Sequence, residues 1–394
     1  METATYTLNW ADTQTAFQVT SWSDETARLV DASIKFGRDD VNGQFQPGTA
    51  RLTLLNSDGR FTYGNAASAF YPNADLMRAV QILADYGGNT YSVFYGYVAS
   101  IRPATSPASA QHCTVTLVDA LGVISNILTT FETGTKGAKT IGQLIAIALA
   151  PDSIGDGIAG FEWPLTDIST TPTTTYTNVE YTLAPMLATI QELAEHENGL
   201  IYCGRDGYVT FRARTDRLTR AECITSQGTI SATLAIDAGV DVAEVFNRVV
   251  ASYNAGAADA VAENAASIVT YGLRATDFAV PLVTSSTAAT ALATWRMLRQ
   301  YLPTLRPRVE IINSSSALLT QILARDISHR VTITDLTGIT GINADFFIEG
   351  IEHEITAGGQ VHRCALQLSP TLGWAGWALG VDGFSNLGIS TRLN

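Results

Sequence analysis

The first third of the chain alternates apolar and polar residues over short stretches. Ala32-Ser33-Ile34-Lys35-Phe36 does so, and so does Thr49 to Leu55 until it meets Asn56-Ser57-Asp58-Gly59. A period of two marks a strand with one face buried. The tetrapeptide after it is turn chemistry, because Asn and Asp bond nearby backbone and Gly accepts a positive φ. The same pattern predicts strands at Phe17–Trp22, Val80–Asp85, Tyr91–Ile101 and Cys113–Asp119; in the last, Val115 and Leu117 face one way and Thr114 and Thr116 the other. Short strands between turns predict a small barrel or sandwich.

The texture changes near Ile127. Thr140 precedes a helical pattern with Gln143 at capping-box spacing. Ile141, Leu144, Ile145 and Ala148 fall on one face, and Pro151 ends it. A Gly- and Thr-rich connector runs from Asp152 to Thr177. A second helix from near Pro185 turns Leu187, Ile190 and Leu193 inward and stops at Gly199. A hairpin, Leu200–Cys203 and Tyr208–Arg212, folds about Gly204-Arg205-Asp206-Gly207. Strands return at Phe246–Tyr253. The helix predicted over Thr287–Leu302 carries Ala288, Ala291, Leu292, Trp295, Leu298 and Leu302 as its apolar stripe. A short helix at Ala317–Ala324 leads to a strand at Arg330–Thr334. A long hairpin follows, Phe346–Ile355 and Val361–Leu368, turned at Ala357-Gly358-Gly359-Gln360.

These elements define a mainly β chain with α+β inserts: two small β-barrel or split-barrel domains plus helical insert domains. The first β-domain covers 1–127, with 219–243 as a candidate segment to complete it. An α+β insert domain covers 128–218. The second β-domain covers 244–372, with a helical insert at about 286–326. The repeated order of strands, helical insert and strands predicts a weak internal duplication. The stretch 373–394 reads as a C-terminal arm. Five glycines make regular structure costly there, while Trp374, Trp377, Leu379, Phe384 and Leu387 favour docking on the last β-domain or a neighbouring subunit.

A length of 394 residues accommodates two to four domains. Only 15% of residues are charged, which points to surface hidden against partners. The formal net charge of −13 and the lack of any basic run argue against a surface that grips nucleic acid. An acidic wall would repel DNA rather than hold it, as suits a conduit. Cys113, Cys203, Cys223 and Cys364 lack CxxC spacing and read as buried free thiols. No apolar stretch approaches the ~18 residues of a membrane helix. Met1-Glu2-Thr3-Ala4 lacks the basic and apolar parts of a signal peptide, so assembly in the cytoplasm is expected.

Candidate chemistry is thin. Gly155, Gly157 and Gly160 form a G-x-G-x-x-G, but Phe161-Glu162-Trp163-Pro164 after it is no helix start, as dinucleotide binding requires. His196 has no second histidine at i+4, so the zinc-protease pattern is incomplete. His353, between Ile351 and Ile355 at period two, reads as a satisfied core or interface histidine. Asp39-Asp40 and Asp152/Asp156 sit among turn residues without the alternating ligands of a calcium loop. No catalytic, cofactor-binding or metal-binding residue is assigned, and no enzymatic activity is expected.

Pro47-Gly48-Thr49-Ala50-Arg51-Leu52-Thr53-Leu54-Leu55-Asn56-Ser57-Asp58-Gly59-Arg60-Phe61 resembles a run common in siphophage minor tail and hub proteins, where a strand ends in this turn. Glu192 to Tyr202 with Arg205-Asp206-Gly207, Phe246-Asn247-Arg248-Val249-Val250, His329 to Ile333 with Phe347 to His353, and Leu387 to Leu393 are similar to the family's later segments, in the same order. The family resembles the baseplate hub of contractile phages and the N-terminal part of tail-associated lysins. The resemblance implies a homotrimer at the end of the tail tube, with two tube-like domains per chain making a pseudo-sixfold ring around a channel that DNA crosses without specific binding. The partners it implies are a distal tail protein ring or tail tube protein, the C-terminus of the tape-measure protein, and a central fibre or receptor-binding protein. Ending near residue 394, the chain departs from longer relatives that carry enzymatic or receptor-binding extensions, which puts a wall-degrading role in doubt. Two other readings stay open: a hub with peptidoglycan hydrolase activity, and a distal-tail ring protein, usually a hexamer.

Overall fold

A computed structural model describes residues 1–371 apart from 16, 40–42, 105–110, 134–137, 151–164, 170–174, 232–233 and 336–337. The G-x-G-x-x-G glycines, Asp40, the pair Asp152/Asp156 and the arm 373–394 lie outside the described residues.

The chain opens on seven strands: β1 (Thr5–Thr15), β2 (Gln18–Asp24), β3 (Leu29–Gly37), β4 (Gln46–Leu55), β5 (Ala79–Tyr86), β6 (Asn89–Ala104) and β7 (His112–Val118). A mixed stretch follows: α1 (Ala120–Ile124), β8 (Leu128–Glu132), β9 (Lys139–Thr140), α2 (Ile141–Ala148), β10 (Thr166–Ile168), β11 (Thr175–Tyr176), β12 (Glu180–Pro185), α3 (Met186–Glu195), β13 (Leu200–Cys203) and β14 (Val209–Arg212). Two short helices, α4 (Asp216–Thr219) and α5 (Ala221–Ile224), lead to β15 (Thr229–Ile230), β16 (Ala235–Gly239), β17 (Arg248–Tyr253), β18 (Ala258–Glu263), α6 (Ala265–Tyr271), β19 (Ala275–Val280) and α7 (Ser286–Gln300). The last elements are β20 (Arg306–Ile312), α8 (Ser316–Ala324), β21 (Arg330–Thr334), β22 (Asn343–Thr356) and β23 (Val361–Pro370).

Thirteen strands make one sheet, in the order β16-β20-β23-β22-β3-β4-β7-β6-β5-β1-β2, with β21 on β22 and β15 on β21. The path is open: the fold is mainly β, as expected from the sequence, and among the described residues no sheet closes into a barrel.

The order within this sheet repeats. β3-β4-β7-β6-β5 and β16-β20-β23-β22-β21 have the same neighbours, all antiparallel. The registers match too. Leu52 faces Val115 and Leu54 faces Cys113, just as Val309 faces Leu366 and Ile311 faces Cys364. Both long strands are bulged at the equivalent place, between Val98 and Ser100 in β6 and between Ile348 and Gly350 in β22. Once aligned by register, Ala50-Arg51-Leu52-Thr53-Leu54-Leu55-Asn56-Ser57 matches Pro307-Arg308-Val309-Glu310-Ile311-Ile312-Asn313-Ser314. The edge strands differ, since β1 runs antiparallel to β5 but β15 runs parallel to β21. The second set begins at β15, not near 244. The stretch 219–243, read from the sequence as completing the first β-region, pairs instead with β20 and β21 of the second.

One core lies under this sheet and draws on both sets, from Leu8, Ile34 and Leu52 to Val309, Ile351 and Leu366. The other joins α2 and α3 to a three-stranded sheet, β18-β17-β19, and to α7: Leu144, Ile190 and Phe211 pack with Val249, Phe278 and Leu292. The α2 capping box forms, with the Gln143 N–H donating to Thr140 Oγ1 at 3.3 Å and the Thr140 N–H to Gln143 Oε1 at 3.1 Å. The buried stripe of α7 is Ala289, Leu292, Ala293 and Met297, rotated from the expected one. Ala291 and Leu302 are exposed, and Trp295 is half-buried against Leu218, Cys223 and Phe347. With alanine at four of its fifteen positions, this helix has little to fix its rotation except the sheet it covers.

Candidate functional site

The two strand sets meet edge to edge where β3 runs antiparallel to β22, from Gly37 opposite Gly350 to Ala32 opposite Ile355. The approach is too close for side chains at its end. A Cβ on Gly37 would lie 2.4 Å from the Glu349 carbonyl oxygen, and its φ of +99° already requires glycine. One face of the seam buries Ala32, Ile34 and Phe36 beside Ile351, His353 and Ile355. On the other face Lys35 Nζ lies 3.0 Å from Glu352 and 2.8 Å from Asp39, and Arg308 reaches Glu352 at 2.9 Å.

That outer face extends across eight strands, β16-β20-β23-β22-β3-β4-β7 and the far half of β6. Alternation along the strands turns Thr49, Thr53, Thr114, Thr116 and Ser100 outward. Its charged side chains include Lys35, Arg51, Arg102, Arg308 and Arg363 and, interspersed with them, Asp31, Asp39, Asp237, Glu310, Glu352 and Glu354. The surface is therefore polar and mixed in charge. The acidic wall expected from the net charge does not lie here.

Behind the seam a buried ion cluster ties three parts of the chain together. Glu349, the residue in the β22 bulge, accepts from Arg38 at 2.8 Å, from Arg217 at 2.7 Å and from Ser369 Oγ at 2.6 Å. Arg217 also donates twice to Ser328 Oγ and stacks over Phe347 at 4.7 Å. Burial alone would raise the Glu349 carboxyl, but the two guanidiniums hold it well below the usual range. On the same strands Tyr6 Oη lies 2.6 Å from His362 Nδ1, and His362 Nε2 lies 3.0 Å from His353 Nδ1. Burial keeps both histidines neutral: His362 is pushed down to about 3, and His353 well below its ordinary value with its neighbour adding to the effect.

The arrangement nearest to acid–base chemistry is a cleft between β14, α4 and the 326–329 turn, lined by Asp167, Arg212, Arg220, Glu222, Asp326 and His329. Burial pushes Asp326 up to about 6, with Arg205 at 3.7 Å opposing that shift. Other carboxylates here are held by cations, Asp167 by Arg212 and Glu222 by Arg220. No group of three or more His, Cys, Asp or Glu able to hold a metal occurs among the described residues.

Of the residues singled out in the sequence, His353 lies in the buried seam, where its partner is His362, a residue the sequence left unassigned. His196 is buried at the end of α3; its Nδ1 is 2.8 Å from the Glu192 carbonyl, and its Nε2 accepts the Leu282 N–H at 3.1 Å, which joins α3 to the segment before α7. Asp39 pairs with Lys35 on the outer face. All four cysteines are buried, and Cys113 and Cys364 occupy equivalent positions of the two strand sets. Glu349 and Arg217 carried no sequence signal, because a Glu in an alternating strand and an Arg in a short helix both read as solvated.

The chain is thus built from two like-ordered β-units fused edge to edge, with an α+β layer packed against them. This is the fold of phage tail proteins. A tail protein of prophage MuSo2 from Shewanella oneidensis superposes with a TM-score of 0.61 at 14% identity, over 94% of this chain and 98% of that one. A tail protein from Neisseria meningitidis MC58 gives 0.60 at 11% identity, again over 94% and 98%. An E. coli component of the type VI secretion system, described as similar to T4 bacteriophage tail proteins gp27 and gp5, gives 0.51 at 9% identity, over 87% and 73%. Neither a protein-family model nor a curated protein matches the chain.

Proposed function

We propose that this chain is a non-enzymatic structural subunit of a phage-type tail, standing as a homotrimeric hub at the tail tip or baseplate of the virion. The observation that carries the reading is the repeated strand order β3-β4-β7-β6-β5 and β16-β20-β23-β22-β21 in one sheet. Three such chains offer six like units to a sixfold tail tube while presenting threefold symmetry to whatever lies beyond. The eight-strand polar face then lines the channel, and the two units curve as tube-like split barrels. The α+β stretch 128–218 packs outside them. A face of mixed charge neither holds nor strongly repels a passing polyanion. Partners follow from position: a distal tail protein ring or tail tube protein on one side, a central fibre or receptor-binding protein on the other, and the tape-measure protein C-terminus within.

Purified full-length protein is expected to have the mass of three chains by light scattering and to form pseudo-sixfold rings by electron microscopy. A six-chain mass would assign it to the distal ring instead. The cleft around Asp326 keeps a hydrolase reading in view, and a peptidoglycan zymogram at neutral pH is expected to show no clearing. Clearing that disappears in Asp326→Asn would overturn the non-enzymatic reading.

A further inference from the structure

We infer that the outer edge of β16, with the residues that follow it to Asp241, pairs antiparallel with the Ser100–Ala104 edge of β6 in a second copy of this chain, repeating between chains the junction that β3 and β22 make within one. The inference rests on the trimeric hub reading and gives that assembly its contact. Register fixes the correspondence. Leu52 and Val309 are equivalent; Ala32 faces the first and Ile236 the second, so β3 Ser33-Ile34-Lys35 corresponds to β16 Asp237-Ala238-Gly239, and Phe36 to Val240. In the same way Val115 and Leu366 place Ile101 at the position of Ile351, and Arg102 at that of Glu352.

At the seam, β3 and the Gly350–Ile355 part of β22 pair with each other, whereas their counterparts have no such neighbour. Among the described residues, β16 pairs only with β20, and Ser100–Ala104 pairs only with β7. Two bare edges of the same sheet invite strand addition. Carrying the seam's register over sets Asp237 opposite Ala104, Ala238 opposite Pro103, Gly239 opposite Arg102 and Val240 opposite Ile101.

Two features of the edges fit that register. Phe36 is 4% exposed in the seam, but its counterpart Val240 is 57% exposed, and Val242, two residues on, is 49% exposed. Those apolar side chains match the role of Phe36 only when a strand carrying Ile101 lies next to them. Opposite Gly239, Arg102 would stand between Asp237 and Asp241, both within diagonal reach on the same face. All three are exposed and none has an ion pair among the described residues; Asp241 caps the following turn through Oδ1, accepting the Ala243 N–H at 2.7 Å. Pro103 withholds one N–H from the ladder, which discourages pairing with unrelated edges.

The test is a cysteine pair, Gly239→Cys with Arg102→Cys, in the full chain under mild oxidant. Directly opposed antiparallel residues have Cβ atoms about 4.5–5.5 Å apart, near the reach of a disulfide. The native cysteines are all buried, and the pair Lys35→Cys with Glu352→Cys serves as the control that links within one chain. Non-reducing gels are expected to show two- and three-chain species and nothing larger, with yield lowered about tenfold by Val240→Asp through lost apolar burial. A ladder beyond three chains, or single chains only, overturns the assignment. Light scattering on the unaltered protein separates the failures: three chains without the cross-link leaves the hub reading standing and this edge wrong, while a monomer without it removes both.

Discussion

Glu349 and its two arginines carry much of the burden at the junction of the units. Glu349 and Arg217 are 0% and 1% exposed at the side chain. Removing one partner of such a cluster strands the others in a medium that cannot solvate them. Glu349→Ala is expected to cost about 3–5 kcal/mol in urea unfolding, on the scale for broken buried pairs. The histidine pair makes a second prediction. Both histidines have folded values below the ordinary 6.5, so the unfolded chain binds more protons below that pH. Their contribution is complete above pH 6.5 and falls as pH drops towards the folded values, by about 1.4 kcal/mol per pH unit for each histidine. His196 and His329, each pushed down to about 4, act in the same direction. Asp119 and Asp326, raised by burial to about 7 and about 6, act oppositely. The comparison is therefore between wild type and His362→Gln, whose urea midpoint should decline less steeply from pH 6.5 to 4. Of these residues only His353 was legible in advance, because its isoleucine neighbours at period two place it inside. Its partner His362 lies nine residues on, across a turn, and nothing local marks the contact.

Among the elements, those specified by adjacent residues read most faithfully. The α2 helix starts at Thr140 with the box and buried stripe that its spacing predicts. Thr140→Ala is expected to destabilise by about 1 kcal/mol, measured as a shift in unfolding midpoint. The hairpins β13–β14 and β22–β23 likewise follow from their turns and alternation. Elements fixed by distant partners read less well. The α7 stripe is set by β17 and β18, and its alanines do not tell one face from another. β16 is half-exposed and alternates weakly, so nothing local shows that it pairs with β20, far along the chain. The duplication shows in strand order and in the shared bulge. In sequence it survives chiefly in one eight-residue stretch whose alignment only the register justifies.

For the molecule as a whole, a net charge of −13 argues against a surface that grips nucleic acid, but does not show how the charge is distributed. The mixed-charge outer face emerges only once strands distant in sequence lie side by side. The seam between β3 and β22 has a consequence for assembly as a matter of counting. In the proposed ring of six units built from three chains, half of the junctions are already made inside single chains. Only three junctions are then left to form between chains, in two associations, and the covalent link gives the internal junctions an effective concentration that no free subunit could match. Such a ring nucleates at lower protein concentration than one of six separate units. It also cannot close with five or seven units, because units enter only in pairs.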